Sequence, residues 1–177
     1  MVIDFLFEAE SLKRVPRQGW IDKMGIKHPE SVADHSYMTC LISMILSDMM
    51  GLDTCKVVRM SILHDLAESR IGDIVPDRIP LHEKKMLENT AMSSMLDMLP
   101  KVMRTSYKAL WDEFQNAKSN EARIVHDADK FEMALQARIY SKTTGRTSAS
   151  VFYDSARESI QSKYLQDMLR QICDKDG

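Results

Sequence analysis

Apolar residues recur along this chain at spacings of three and four, and each run ends where that rhythm lapses. The period predicts helices over Phe5–Val15, Ser31–Met50, Thr54–Ala67, His82–Leu99, Val102–Phe114, Glu121–Lys142 and Val151–Cys173. The lapses carry the prolines and glycines, around Pro16 to Pro29, Gly72 to Pro80 and Gly145, and loops are expected there. No segment alternates apolar and polar positions between turn residues, no fixed period repeats, and no stretch is of low complexity. The expected fold is all-α, with about seven helices. At 177 residues the chain suits one domain spanning positions 1–177, with a C-terminal helix over about 151–173.

Composition changes this picture little. With 44% hydrophobic and 28% charged residues the chain reads as an ordinary folded protein, so function rests on particular side chains. A net charge of -2 and a pI near 6.2 give no positive field to collect long nucleic acid, which favours small substrates. Cys40, Cys55 and Cys173 form no CxxC pair and leave an odd thiol; a reducing, cytoplasmic setting is expected. Asp4, Glu8 and Glu10 interrupt the N-terminal run, so no signal peptide is expected. The run Tyr37 to Met50 is broken by Ser43, Ser47 and Asp48 and is shorter than the roughly 20 residues of a membrane span. It reads as a core helix, with no membrane association. The methionines, Met38, Met44, Met60, Met95 and Met133 among them, fall at core spacing and read as filler. The charged face of Glu83, Lys84, Lys85 and Glu88 reads as solvated.

Chemistry enters with His64 and Asp65, adjacent in the apolar C-terminal half of the Thr54 helix. A buried carboxylate is costly unless paired or bound to a cation, and imidazole is the commonest metal-ligating side chain. A His-Asp dipeptide alone is more often satisfied by backbone groups or by itself. His35 adds a second imidazole, one turn ahead of the stripe Met38, Ile42, Ile45 and Met49. Asp129 has Val125 and Met133 four residues to either side and flanks a buried face. Two imidazoles and two carboxylates suit one divalent transition ion, such as manganese, cobalt, nickel, iron or zinc, and disfavour calcium.

The order His35, then His64-Asp65, then a distant Asp129 resembles the HD-domain metal-dependent phosphohydrolase superfamily. The segments KRVPRQGW, PESVADHSY, LHDLAESRIGDI and DADKFEMALQA resemble those of its 5′-deoxynucleotidase branch, over about residues 10–140. The resemblance implies a single HD-domain helical bundle and a homodimer. It further implies that His35, His64, Asp65 and Asp129 hold the metal, and that a deoxynucleoside 5′-monophosphate is hydrolysed to deoxynucleoside and phosphate.

Glu68 follows His64 by four residues and Asp65 by three, so a continuous helix would set it on their face as the general acid/base. The HDxxE pattern matches the family in this. Asp73, in the loop after Gly72, assists catalysis or holds the sugar by the same resemblance. Arg17 offers a planar fork for phosphate, a role that rests on the KRVPRQGW match. Trp20 either stacks on base or sugar or covers the edge of the core. In one branch of the family the arginine and tryptophan adjoin, whereas Gln18 and Gly19 separate them here. His126 lies near Asp129, yet the extra histidines of two-metal relatives are missing, so one metal is expected; His28, His82 and Lys130 receive no role. The competing readings are a phosphodiesterase or triphosphohydrolase on the same metal core, and a non-catalytic nucleotide-binding protein. No dense Lys/Arg cluster beside the ligands supports a triphosphate.

Overall fold

The computed structural model of the protein describes residues 2–75, 77–144 and 149–174. Among these, ten α-helices form: α1 (Val2–Glu10), α2 (Gln18–Met24), α3 (Val32–Met50), α4 (Thr54–Leu63), α5 (Glu68–Ile71), α6 (Leu81–Leu96), α7 (Lys101–Asn116), α8 (Asn120–Thr144), α9 (Ser150–Ser159) and α10 (Lys163–Asp174). A 3-10 turn, Ser11–Arg14, continues α1. The only extended pairing among the described residues is an isolated bridge of Pro16 with Ser31. The fold is all-α, as the periodicity implied, with more helices than seven. The turn expected at Gly145 lies outside the described residues, as does Pro76 of the second predicted loop.

The additional helices have identifiable causes. Within the Pro16–Pro29 stretch, α2 forms and stops at Gly25, whose φ of 63° is left-handed and whose N–H donates to Ile21 O at 3.0 Å. The predicted Thr54–Ala67 helix ends at Leu63 because the winding tightens. Leu66 N–H bonds to Leu63 O, Glu68 N–H to Asp65 O and Ser69 N–H to Leu66 O, all three residues apart. The C-terminal helix divides because Asp127, buried on α8, accepts hydrogen bonds from Gln161 N–H at 3.0 Å and Ser162 N–H at 2.7 Å. Those N–H groups would otherwise have pointed back into a continuing helix; the carboxylate instead holds a break before α10.

The chain gathers into two compact units, each assembled from two stretches: Met1–Tyr37 with Ile62–Gln115, and Met38–Ser61 with Asn116–Gly177. In the first, α5 packs against α1, α6 and the 3-10 turn. Arg70 forks onto Glu8 of α1 and also donates to Ser94 Oγ, at 2.6 Å, which pins the short α5 in place. In the second, α8 presents the buried small side chains Ala122, Ala128, Ala134 and Ala137, and α9 and α10 pack on α8 and on each other. No helix among the described residues is long and apolar enough to cross a membrane.

The stripe expected along α3 is rotated. Its buried positions are Val32, His35, Thr39, Ser43, Leu46 and Ser47, whereas Ile45 and Met49 are exposed. Small hydroxyl side chains can be buried where their oxygens find local acceptors, as Ser47 Oγ does by donating to Met44 O at 2.8 Å. Counting only large apolar residues therefore misplaces the face. Met60 and Met95 are core filler as expected, but Met44 is exposed.

Candidate active site

The site begins with two short stretches that run antiparallel. Val32 N–H donates to Val15 O at 2.8 Å and Arg17 N–H to Glu30 O at 3.0 Å, so Arg17 is fixed beside the start of α3. There Ser31 and Asp34 form a capping box: Asp34 N–H donates to Ser31 Oγ at 3.2 Å and Ser31 N–H to Asp34 Oδ2 at 2.9 Å. The box starts the helix at Val32 and so delivers His35, the residue after Asp34, to a fully buried position.

His64 and Asp65 lie on the tight turn between α4 and α5, and His35 meets them. His64 Nε2 is 3.4 Å from His35 Nε2, while Asp65 Oδ2 is 3.2 Å from His64 Nε2 and 3.5 Å from His35 Nε2. Ligand bonds of about 2.1 Å at the tetrahedral angle put ligand atoms about 3.4 Å apart, so this triangle has the edge length of a face around one divalent ion. Phe114 closes edge-on against His64, with ring centroids 6.0 Å apart. Burial by itself would raise the Asp65 carboxyl, but the His64 ring, Arg17 and His35 outweigh it and hold the group well below the usual carboxylate range. It is thus ionised and ready to bind a cation.

Arg17, expected to clamp phosphate, has its guanidinium 3.4 Å from Asp65 Oδ2 and 3.9 Å from Asp73 Oδ1. Asp73 also accepts Gln18 N–H at 2.8 Å, and so anchors the first turn of α2 just after Arg17. The resemblance has Asp73 assist catalysis or hold the sugar; in the structure its carboxylate lies against Arg17 and the start of α2. Gly72 makes that approach possible, since its φ of 76° and ψ of 169° suit glycine alone.

Glu68 is only 2% exposed. It does not share a continuous helix with Asp65, as the spacing had implied, but the three-residue winding of the turn keeps the two side chains in line. Burial, and then the negative charges of Asp65 and Asp73, push the Glu68 carboxyl well above its ordinary value, against the opposing pull of Arg17 and Lys84. Its Oε2 is buried, and no described group hydrogen-bonds to it. Such an atom needs a polar partner that the protein itself does not supply.

Two further residues belong to this cluster, and the sequence reading had set them aside as solvated. Lys84 Nζ lies 3.8 Å from Glu68 Oε1 and 3.6 Å from Glu88 Oε1. Four carboxyl groups, Asp65, Glu68, Asp73 and Glu88, thus gather around two cationic side chains, Arg17 and Lys84, a surplus of acidic groups that suits a bound cation. The donor set, the triangle, the unpartnered oxygen and this surplus all fit a divalent ion.

Of the two readings of Trp20, the structure favours the core: the residue is 2% exposed and its indole N–H donates to Glu30 Oε1 at 2.9 Å, which leaves the ring buried rather than presented to a base or sugar. Asp129 stands half-buried on α8, in the second unit, with Lys130 Nζ 3.1 Å from its carboxylate. His126 is half-buried on the same helix, and His28 and His82 are exposed.

Comparison with known proteins decides the family. The HD domain profile matches residues 9–172. The chain belongs to the HD domain family. Among its HD relatives, human 5′-deoxynucleotidase HDDC2 is 38% identical over 174 residues, covering 97% of this chain and 84% of its own. The 5′-deoxynucleotidase hdd1 of Schizosaccharomyces pombe is 34% identical, with 96% and 89% covered. The crystal structure of the PH0347 protein from Pyrococcus horikoshii OT3, 33% identical, superposes with a TM-score of 0.78 over 96% of this chain and 97% of that one.

Proposed function

We propose that the protein is a metal-dependent 5′-deoxynucleotidase that hydrolyses deoxynucleoside 5′-monophosphates to deoxynucleoside and inorganic phosphate. The observation that carries this reading is the triangle of His35, His64 and Asp65, in an HD chain whose similar relatives are named 5′-deoxynucleotidases. Asp129 is the fourth ligand of the reading, supported by the resemblance of DADKFEMALQA to the family segment. A divalent transition ion held there supplies Lewis acidity at the phosphoryl oxygens and makes water a competent nucleophile near neutral pH.

The remaining steps fall to the chain's own residues. Arg17 offers its guanidinium to the phosphoryl oxygens, and Asp73 keeps that fork from swinging into solvent. Glu68 orients the attacking water through its unpartnered Oε2 and takes up its proton, a task suited to a buried carboxyl whose pKa is raised. The leaving deoxynucleoside oxygen then receives a proton from the same group.

Two further parts of the reading have independent support. A homodimer accords with the family resemblance and with the exposed Ile45, Met49 and Met50 on α3, and light scattering measures it directly. A cytoplasmic location accords with three cysteines that form no CxxC pair and leave an odd thiol. The activity is tested by supplying the metal-loaded protein with deoxynucleoside and ribonucleoside 5′-monophosphates, a 3′,5′-cyclic nucleotide and a deoxynucleoside triphosphate. Phosphate release confined to monophosphates and fastest with deoxyribose supports the reading. Preferential cleavage of the cyclic diester or the triphosphate replaces it with another phosphohydrolase, and nucleotide binding without turnover replaces it with a binding protein.

A further inference from the structure

Helix α6 has its polarity inverted over its first half. Leu81 and Met86 are 68% and 66% exposed, while the side chains of Lys84 and Glu88 are only 18% and 16% exposed. Lys84 and Glu88 extend the buried stripe that Ala91, Met92, Met95 and Leu96 form further along the helix. Turning two charges inward and two large apolar groups outward opposes the hydrophobic effect, so the arrangement needs another cause.

That cause lies at the tip of the lysine. Its ammonium sits between two carboxylates, one of them Glu68, at 3.8 Å and 3.6 Å. Burial alone would lower the Lys84 pKa, yet the charges of Glu68, Glu88, Asp65 and Asp73 outweigh it and raise the pKa, so the group stays protonated. The pairing is also asymmetric. Oε1 of Glu68 faces the ammonium, while Oε2 has no hydrogen-bond partner among the described residues. A fixed cation on one oxygen stops the carboxylate from rotating and leaves the other oxygen free to act on water.

We propose that Lys84 is a positioning residue for the hydrolytic reaction, holding Glu68 through Oε1 so that Oε2 addresses the attacking water, with Glu88 steering the ammonium into place. This rests on the phosphohydrolase reading above. It also gives Lys84 a place among the charges around the cation, independent of turnover.

The test compares full-length wild type with Lys84→Met, which keeps the length of the side chain, and Lys84→Arg, which keeps its charge. Each is assayed for hydrolysis of a deoxynucleoside 5′-monophosphate with Mn2+, for thermal melting, and for Mn2+ affinity by electron paramagnetic resonance. The expected result for Lys84→Met is a fall in kcat of at least about tenfold with KM changed less than about twofold, since a group acting through Glu68 contributes mainly in the transition state. The same variant binds Mn2+ several-fold tighter, because a positive charge near the cation has gone. Lys84→Arg recovers most of kcat and leaves Mn2+ affinity unchanged. Unchanged kcat in Lys84→Met, or equal loss in both variants, overturns the proposal. If Lys84→Met melts far below wild type, Lys84→Arg decides: wild-type melting with retained turnover supports the proposal, and wild-type melting with lost turnover overturns it. A wild type that releases no phosphate sinks the phosphohydrolase reading instead. The Mn2+ titration alone then judges Lys84, tighter binding in Lys84→Met supporting its placement and unchanged binding overturning it.

Discussion

Replacing Trp20 by Phe removes two separable quantities. The first is the hydrogen bond from the indole N–H to Glu30 Oε1, 2.9 Å long. A bond to a charged acceptor contributes about 1.5–3 kcal/mol net. The second is the volume of the lost ring atoms at a site that is 2% exposed. Full truncation of a buried Trp costs about 3–5 kcal/mol, and trimming indole to phenyl forfeits roughly 1 kcal/mol of that. The sum is about 2.5–4 kcal/mol. In a protein of this size each kcal/mol lowers Tm by about 2–4 °C, so Trp20→Phe should melt about 5–15 °C lower. KM for a deoxynucleoside monophosphate should stay unchanged below the melt, because the ring is buried in the core. Thermal denaturation followed by circular dichroism, paired with KM at 20 °C below the variant's own midpoint, makes the comparison. Unchanged Tm with a raised KM or altered base preference would refute the argument and return Trp20 to the ligand site.

Other outcomes follow from the same geometry. In metal-free protein Glu68→Gln should melt higher than wild type near neutral pH. The wild-type carboxyl is raised above its ordinary 4.5, chiefly by burial, so ionising it in the fold loses stability as pH climbs. The gap should close in acid, where Glu68 is protonated in folded and unfolded chains alike, and the metal-loaded variant should lose turnover; a variant that melts lower at neutral pH contradicts this. Gly72→Ala should cost about 1–3 kcal/mol from backbone strain alone, since nothing lies within 4 Å of the added Cβ, and kcat should fall because Asp73 is displaced. Urea denaturation and steady-state kinetics measure both, and a neutral substitution would show that the turn relaxes without strain.

The sequence was most legible where chemistry and period agreed. His35, His64 and Asp65 are brought together as expected, because a capping box and a tight turn deliver them from neighbouring stretches of one unit. Arg17 was found through its motif, and the structure supplies the reason for its position: the pairing of Val15–Arg17 with Glu30–Val32. Less was visible where a distant side chain overrode local preference. Nothing between Val151 and Cys173 announces a break, since no proline or glycine stands there; the break depends on Asp127, which is remote in sequence. Along α3, three of the buried positions, Thr39, Ser43 and Ser47, are small hydroxyl residues that a search for large apolar ones passes over. Lys84 and Glu88 carried a usable signal. They continue the stripe of Met92, Met95 and Leu99, and a charged pair in register with a core stripe marks a buried polar cluster rather than a solvated face.

Metal dependence of phosphate release tests the central claim most directly. The protein is stripped with chelator, reloaded singly with manganese, cobalt, nickel, zinc or magnesium, and its bound metal is counted while release from a deoxynucleoside 5′-monophosphate is followed, with Asp65→Ala in parallel. The account predicts no release from stripped protein, recovery with one transition ion bound per chain, and loss of both metal and activity in Asp65→Ala, whose oxygen completes the triangle with His35 and His64. Full activity in the stripped protein, or an Asp65→Ala protein that keeps its metal and its turnover, would contradict it.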